Sequence, residues 1–443
     1  MRNALKAMGI LLSMGMTMNT WAIGSANIGN EVPSARAAGQ GYVGVAGQSE
    51  DPTVAWSNAA GIVLLPGTQF TVGGTFEDIH GKYESPAGAE TKERVTDVLV
   101  PNMSLTHTFS DSQIGIGLSV QTPYGLETHW GDGPLKYVAT DSRLATTFIS
   151  PSVSAKFDSA FTLGAGFDFV DASNAQLDRH ISNTALNSKL TNSLYPDTPD
   201  AVASLKGDGT GWGGHAGFIY MPTDNNSIGV TYHTQVTVPI EGRVKLSGLS
   251  GPDASALVFG GSEFTTNVET EIDLPENVQV GYSYKPTSQW MLEADAAWYH
   301  WSQFKNLLVQ YKGVNATQQA VLNTGNPAPQ DLRDAWSFAM GANYKFREHW
   351  QFRGGFWYEP WAQQEDAFTP AYDDLTRYGV SIGTGFVLNS HISLDLAYSA
   401  VFSHNRDIEN NVGTNTAGFT AANISGTYKD FANILAMNVS YKF

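Results

Sequence analysis

Apolar and polar residues alternate with a period of two along several stretches of the chain. Every second residue between Phe161 and Phe169 is apolar, and the intervening residues are polar or small. The segments 114–120 and 392–402 follow the same pattern. Because successive side chains of a strand point to opposite faces, the pattern predicts β-strands with one apolar face. That face could cover a soluble core or contact lipid, and periodicity alone leaves both open.

The connections between these stretches distinguish the two structures. Six short, polar connections lie at 110–112, 158–159, 222–226, 286–288, 347–349 and 389–390. Seven long, irregular connections lie near 82–97, 123–141, 173–208, 241–262, 305–332, 359–375 and 405–426. Their strict alternation predicts fourteen strands with all tight turns at one end, which is typical of outer-membrane barrels. Since closure leaves no backbone edge in lipid, we predict an all-β, 14-stranded antiparallel transmembrane β-barrel over residues 67–443.

Aromatic residues cluster near the predicted strand ends, as in the interfacial girdles of membrane barrels. The clustered residues are Trp290, Trp298, Trp301, Trp336, Trp350, Phe352, Phe356, Trp357 and Tyr358. Ordinary core packing is the alternative explanation. The last predicted strand alternates up to a terminal aromatic residue, Phe443, which is a weaker indication of an outer-membrane protein.

The N-terminus is predicted to hold two segments outside the barrel wall. Arg2 and Lys6 precede an apolar run at 7–20 that is shorter than the ~20 residues needed to span a bilayer. Small residues at 20 and 22 complete the pattern of a secretory signal peptide over 1–22. Residues 23–66 alternate poorly and are rich in small side chains, so they are predicted to form a hatch that plugs the lumen.

The acidic composition limits the class of partner. The chain has 25 Lys and Arg against 42 Asp and Glu, and loss of Arg2 and Lys6 changes the difference to 23 − 42 = −19. Nucleic acid is therefore not an expected partner. The acidic excess in the long connections serves either solubility or divalent-cation bridging to lipopolysaccharide. The absence of cysteine excludes disulfides.

Motifs for other chemistries are incomplete. Gly39–Gly44 matches G-x-G-x-x-G, but it lacks the preceding strand that a dinucleotide site requires. The ten histidines show no metal-ligand spacing, and no G-x-S-x-G motif is present. We therefore predict a non-enzyme without cofactor or metal. An outer-membrane lipid hydrolase with a scattered Ser/His/Asn site and an open general porin are the less favoured alternatives.

Six motifs in order give the chain a resemblance to the FadL/TodX family of outer-membrane long-chain fatty acid and hydrocarbon transporters. The segment 38–62 resembles the family's hatch, and Asn58-Ala59-Ala60 stands where the family has Asn-Pro-Ala. The other matching segments are 122–126, 205–213, 274–277, 301–304 and 350–355. The resemblance extends along nearly the whole chain after residue 22.

This resemblance implies a monomeric barrel in the cell outer membrane that takes up hydrophobic compounds by passive, ligand-gated diffusion. A long-chain fatty acid is the first candidate ligand, and an aromatic or alkane hydrocarbon is the alternative. In the family's scheme the ligand enters an apolar extracellular groove, moves to a tighter site, and leaves through a lateral gap when the hatch moves.

Three sets of site residues follow. The hatch set, Asn58, Ala59, Ala60 and Gly61, is expected in the lumen near the periplasmic end. The outer-groove set comprises apolar residues of two long connections, namely Leu190, Leu194, Leu246, Leu249, Leu257 and Phe259. Packing of these loops against each other would explain the same residues.

The third set would bind a ligand carboxylate. Strand phase points Arg353 into the lumen, and Arg377, Lys305 and His233 are further candidates. The family often has Tyr-Arg-Ser where this chain has His233 between Tyr232 and Thr234. A carboxylate in a site without water needs an oppositely charged or hydrogen-bonding partner. Arg353 could instead pair with a lumen acid, and the acids predicted to face the lumen are Asp168, Glu293, Asp295 and Asp395.

Overall fold

The computed structural model describes most of the chain after residue 25. The described residues are 26–29, 32–47, 51–94, 96–110, 113–191, 197–251, 257–412 and 423–443. The predicted signal peptide, 1–22, and the groove candidate Leu194 lie outside them. Within these ranges, no helix is both long enough and apolar enough to cross a membrane.

The described residues form a closed barrel of fourteen antiparallel strands, which confirms the predicted fold class. The strands are β1 (Thr68–Glu84), β2 (Thr96–Thr108), β3 (Ile114–Gln121 and Gly125–His129), β4 (Asp141–Lys156), β5 (Phe161–Ile181), β6 (Ala201–Thr223), β7 (Asn226–His233 and Val236–Ser247), β8 (Glu263–Leu274 and Asn277–Tyr284), β9 (Trp290–Tyr299), β10 (Ala335–Arg347), β11 (Trp350–Glu359), β12 (Arg377–Val387), β13 (Ile392–Ser403 and Arg406–Ile408) and β14 (Gly426–Lys442). Each strand pairs with the next one. The barrel closes where β1 pairs with β14 over sixteen positions, from Gln69 opposite Lys442 to Glu84 opposite Thr427.

Short elements lie in the N-terminal segment and in the connections between strands. The helices are α1 (Ala35–Gly39), α2 (Val54–Ser57), α3 (Asn183–Thr191) and α4 (Ala316–Leu322), and the 3-10 turns are Ala59–Leu64, Trp301–Gln303 and Glu365–Ala367. The remaining short strands are Glu90–Lys92, Asn306–Leu307, Gln310–Tyr311 and Ala328–Pro329. Glu90–Lys92 turns back on β1, and Gln310–Tyr311 adds to the edge of β8.

Strands β5 and β6 are longer than the sequence pattern indicates. The connection predicted at 173–208 narrows to 182–200, because β5 reaches Ile181 and β6 begins at Ala201. The pairing of β5 with β6 shifts register between Ala172 and Ala175, and Asn174 has a φ of 57°. Such a bulge places an extra residue in one strand, so the period-two pattern is lost although the strand continues.

The two faces of the wall have the predicted chemistry. On β11, Phe352 and Phe356 are 41% and 38% exposed, whereas Arg353 between them is only 6% exposed. The outward aromatic residues therefore form the lipid-facing surface, and Arg353 points into the lumen. Strand phase predicts both orientations correctly because β11 pairs with β10 from Gln351 to Tyr358, and with β12 from Trp350 to Glu359, without a register shift.

The segment 26–66, which we call the N-terminal segment, packs against polar side chains of the wall. Asp295 on β9 accepts hydrogen bonds from the backbone of Gly44 (2.8 Å) and Val45 (3.2 Å). Glu293 accepts from Ala46 (2.8 Å) and Gly47 (3.0 Å). Each carboxylate thus accepts hydrogen bonds from two consecutive backbone N–H groups in a stretch without regular secondary structure. These contacts agree with the hatch that the sequence predicts.

Chemical labelling of single cysteines tests the predicted placement of the connections. The chain has no cysteine, so one introduced thiol gives an unambiguous signal. We expect Leu257→Cys, at a position 78% exposed in a long connection, to react with a membrane-impermeant maleimide added to intact cells. Ser390→Cys, in an exposed short turn, should react only after the outer membrane is permeabilised. The reverse labelling pattern would show that the long connections face the periplasm.

Candidate functional site

An apolar cavity of about 120 Å³ lies at the long-connection end of the barrel. Its wall combines β5, β6 and β7 with α3 and α4, and its lining includes Leu177, Ile181, Leu186, Leu246, Phe259 and Val321. We call it the outer cavity. Two basic side chains, Arg179 and His180, also line it. Apolar surface beside a fixed cation is the chemistry that an amphipathic anion requires.

The predicted outer-groove residues are divided among several environments. Leu246 and Phe259 line the outer cavity. Leu249 is buried in the same apolar cluster, and Leu190 packs against that cluster. Leu257 points away, since it is 78% exposed. Some residues of this cluster therefore pack against each other, and others line the cavity. The two explanations of the predicted set, loop packing and a ligand groove, each fit part of it.

A second apolar cavity of about 190 Å³ lies next to the first, and we call it the inner cavity. The residues that line both cavities are Leu177, Leu205, Leu307, Val309 and Ala328. Ile28 of the N-terminal segment lines the inner cavity, together with Leu126, Leu144 and Phe304. The shared lining gives a continuous apolar surface from the long connections to the N-terminal segment.

The inner cavity contains two defined polar groups. Arg143 is half-buried, and its Nη2 lies 2.8 Å from Glu127 Oε1. The Tyr372 hydroxyl donates to Gln330 Oε1 and accepts from Gln363 Nε2, both at 2.5 Å. Burial raises the pKa of Tyr372, so this hydroxyl is neutral. A charged ligand would therefore find one cation, and the neutral hydroxyl of Tyr372 already donates its proton to Gln330, while most of the remaining lining is apolar.

Two of the predicted carboxylate-binding arginines are engaged in ion pairs. Arg353 Nη1 lies 2.5 Å from Asp395, one of the lumen acids named as possible partners. Arg353 lines a separate, more polar cavity of about 310 Å³ beside the short turn before β13. Arg377 Nη2 contacts Glu359 at 2.6 Å, and both side chains are fully buried. Neither arginine lines the outer or inner cavity.

The other two predicted residues also lie apart from the apolar cavities. Lys305 is exposed, and it follows Phe304, which lines the inner cavity. His233 is buried in the lumen, where its ring packs 4.7 Å from the ring of Trp56. The four predicted residues therefore line neither apolar cavity, and the arginines that do line these cavities, Arg143 and Arg179, are not among the predicted residues.

Irregular strand pairing explains why Arg143 and Arg179 are not among the predicted residues, and it places Arg179 within the connection predicted at 173–208. The pairing of β4 with β5 shifts register between Arg143 and Ala145. Arg179 follows the bulge of β5 at Asn174. Beyond a bulge, a count of alternate residues assigns side chains to the wrong face. The remaining sequence signal for Arg143 and Arg179 is that each arginine lies among polar residues at the edge of an apolar run.

The predicted hatch residues form a compact anchor. Asn58 Nδ2 donates to the carbonyls of Val45, Phe218 and Val230 at 2.9, 3.1 and 3.3 Å. Asn58 Oδ1 accepts from Ala60 N at 3.2 Å and begins the 3-10 turn. Ala59, Ala60 and Gly61 are buried. One side chain therefore ties the N-terminal segment to β6 and β7.

The acids named as possible partners of Arg353 have different roles. Only Asp395 pairs with Arg353 in the described structure, whereas Glu293 and Asp295 hold the N-terminal segment. Asp168 contacts His215, and His215 Nε2 lies 2.9 Å from Ser152 Oγ. This order of groups is that of a nucleophilic triad. Ser152 faces the carbonyl of Ala55 at 3.4 Å and lines neither apolar cavity.

Comparisons with known proteins agree on one family. A family model described as outer membrane protein transport protein (OMPP1/FadL/TodX) matches residues 16–443. The long-chain fatty acid transport protein of Escherichia coli O6:H1 is 26% identical over 406 residues, covering 86% of this chain and 87% of the relative. A 47 kDa outer membrane protein of Pasteurella multocida is 27% identical over 422 residues, covering 91% of each chain.

Solved structures share the same fold. A Pseudomonas aeruginosa FadL homologue superposes with a TM-score of 0.80 at 21% identity, covering 94% of this chain and 100% of that one. The Ralstonia pickettii toluene transporter TbuX superposes with a TM-score of 0.67 at 19% identity, covering 93% and 98% of the two chains. Identities this low support the fold alone.

Proposed function

The chain belongs to the OMPP1/FadL/TodX family of outer-membrane transport proteins, and we propose that it takes up long-chain fatty acids. The family's members transport hydrophobic compounds across the outer membrane and are not enzymes. In our proposal the fatty acid enters the outer cavity, passes to the inner cavity and diffuses onward without an energy source.

The pair of adjoining apolar cavities, each with a basic residue, supports a fatty acid as the ligand. An alkyl chain gains about 0.8 kcal/mol per buried CH₂ group, so a long apolar surface favours a long chain. The carboxylate would pair with Arg179 in the outer cavity and with Arg143 in the inner cavity. A charge-assisted hydrogen bond would offset the free-energy cost of desolvating the carboxylate.

In this proposal the N-terminal segment acts as the hatch. Ile28 lines the inner cavity, and its carbonyl accepts from Gly125 N at 2.8 Å, where β3 resumes after its interruption. The described ladder between β2 and β3 covers only Met103–Thr108, so the resumed part of β3 pairs with β4 alone. We propose that a ligand displaces Ile28 and leaves beside this interruption.

One observation favours an uncharged hydrocarbon as the second candidate. Arg143 is already paired with Glu127, so an aromatic or alkane ligand could fill the inner cavity without disturbing that ion pair. A fatty acid would instead compete with Glu127 for the guanidinium. The two ligand classes therefore differ in how strongly their binding depends on Arg143.

A binding comparison tests this difference. Purified protein in detergent would be titrated with a long-chain fatty acid and with the alcohol of equal chain length. We expect Arg143→Gln to weaken fatty acid binding about tenfold, which corresponds to one lost charged hydrogen bond of about 1.5 kcal/mol, and to leave alcohol binding unchanged. Arg353→Gln is the matched control, since Arg353 lies outside both cavities.

The two outcomes assign the ligand class. Equal binding of acid and alcohol, unaffected by Arg143→Gln, would contradict the fatty acid proposal and favour a hydrocarbon. Weakened fatty acid binding by Arg353→Gln alone would instead assign the carboxylate to the polar cavity of Arg353.

A further inference from the structure

Three side chains of the types that bind metal ions meet on the lumen side of neighbouring strands. Asp168 lies on β5, His215 on β6 and His233 on β7, and His215 and His233 are direct partners in the β6–β7 ladder. Their imidazole rings stack with centroids 5.2 Å apart. One donor atom from each of the three residues lies within 4.8 Å of the other two. Asp168, His215 and His233 are 2%, 4% and 6% exposed, respectively.

Hydrogen bonds within the protein satisfy only part of this cluster. Asp168 Oδ1 lies 2.9 Å from His215 Nδ1 and accepts from Ser150 Oγ at 2.5 Å. His233 Nδ1 is fully buried and has no hydrogen-bond partner among the described residues. A buried, unmatched imidazole nitrogen costs free energy, and native structures usually provide a partner for it. The open nitrogen points to a ligand beside Asp168 and His215.

We propose that Asp168, His215 and His233 bind a divalent transition-metal ion such as Zn²⁺. Two imidazole nitrogens and one carboxylate oxygen form a donor set that suits Zn²⁺, Co²⁺ or Ni²⁺. Ca²⁺ and Mg²⁺ prefer oxygen ligands throughout, so this set disfavours them. Water would complete the coordination.

The surroundings of His215 fit the binding of a metal at its Nδ1. With Nδ1 bound to the ion, the proton of the ring resides on Nε2, which lies 2.9 Å from Ser152 Oγ. Ser152 in turn donates to the carbonyl of Ala55 at 3.4 Å. Ligating histidines usually donate their second nitrogen to such a partner. Metal binding at Nδ1 would replace the hydrogen bond between His215 Nδ1 and Asp168, and the single proton of the neutral ring would then reside on Nε2 instead of Nδ1.

The proposed site connects the wall to the N-terminal segment. Ser152 contacts Ala55, and the ring of Trp56 packs on His233 at 4.7 Å. An ion held by three strands would fix the surface on which α2 rests. The inference is independent of the transported ligand, because the cluster lines neither the outer nor the inner cavity.

Metal titration of the full chain in detergent tests the site. After treatment with a chelator, the protein would be titrated calorimetrically with ZnCl₂ at neutral pH, and bound metal would be counted by elemental analysis. We expect one Zn²⁺ per chain and more than a hundredfold weaker binding by His233→Gln, since loss of a ligand should exceed the ~10–100-fold effect of losing a supporting partner. His391→Gln, at an exposed turn, is the matched control and should bind like the original protein.

A spectroscopic measurement keeps the proposal testable if His233→Gln fails to fold. Native folding would be checked by the heat-dependent electrophoretic mobility of the barrel. The unsubstituted protein loaded with Co²⁺ should show visible absorption bands of a nitrogen- and oxygen-coordinated ion, and Asp168→Asn should reduce them. The proposal is overturned if the unsubstituted protein binds no stoichiometric Zn²⁺ and shows no Co²⁺ bands, or if His233→Gln binds Zn²⁺ equally well.

Discussion

Gly355→Val is expected to hold the N-terminal segment away from the wall and to open the pore. A Cβ atom at Gly355 would collide with the backbone of Gln40 and Gly41. Backbone atoms cannot rotate away as a flexible side chain can, so the segment or the strand has to shift. Overpacking of this kind typically costs about 1–3 kcal/mol, which is enough to change the population of a docked segment by one or two orders of magnitude.

The neighbouring glycine gives a matched control. A Cβ atom at Gly354 would meet only Ser381 O, at 3.8 Å, so Gly354→Val adds the same side chain to the same strand without touching the segment. Valine is favoured in strands, and both glycines have backbone angles open to other residues. The two variants therefore differ in their contact with the N-terminal segment.

Conductance across a planar lipid bilayer measures the effect. We expect long-lived openings with Gly355→Val, and the closed behaviour of the original protein with Gly354→Val. Gly164→Val provides a second site, because its Cβ would collide with the backbone of Ala59 and Ala60. If both lumen-facing variants fold and stay closed, the N-terminal segment does not control the pore.

Arg377→Met is expected to destabilise the barrel strongly. Arg377 and Glu359 form a 2.6 Å ion pair in which both side chains are fully buried, and Arg377 Nη1 also donates to Asn27 Oδ1 at 2.6 Å. Removing one partner of a buried pair leaves the other charge unmatched and typically costs about 3–5 kcal/mol. Asn27 would at the same time lose a link that holds the N-terminal segment to β12.

Denaturant unfolding followed by tryptophan fluorescence measures the loss. The double variant Arg377→Met/Glu359→Gln should recover much of the stability, because it removes the uncompensated carboxylate. Arg347→Met, at an exposed turn, should change the unfolding free energy by less than about 0.5 kcal/mol. Equal unfolding of Arg377→Met and Arg347→Met would mean that water reaches the Glu359 carboxylate.

The architecture could be predicted from the sequence because it depends on local signals. Short polar turns and long connections alternate along the chain, and each strand pairs with its sequence neighbours, so the strand count follows without knowledge of tertiary contacts. The lumen-facing position of Arg353 follows from phase alone along β11, which pairs with β12 without a register shift between Trp350 and Glu359. Its pairing with Asp395 additionally depends on two inter-strand registers.

The cavities could be predicted only in part because they depend on interruptions of the local pattern. Arg143 and Arg179 lie at or beyond shifts in register, where a count of alternate residues fails. The meeting of Asp168, His215 and His233 depends on registers across three strands, which no motif spacing encodes. The sequence identifies Leu246 and Phe259 because apolar residues in a predicted polar connection are conspicuous even without a register.

The length of β5 and β6 determines how far the protein reaches above the bilayer. These strands have 21 and 23 residues, whereas ~10 suffice to cross the hydrocarbon. The outward apolar residues of β5 end at Phe169, and the excess of about ten residues corresponds to roughly 30 Å along the strand. The outer cavity therefore stands well above the hydrocarbon layer. Under the proposed function, a hydrophobic molecule bound there would pass down inside the barrel and would not have to cross the hydrated headgroup layer.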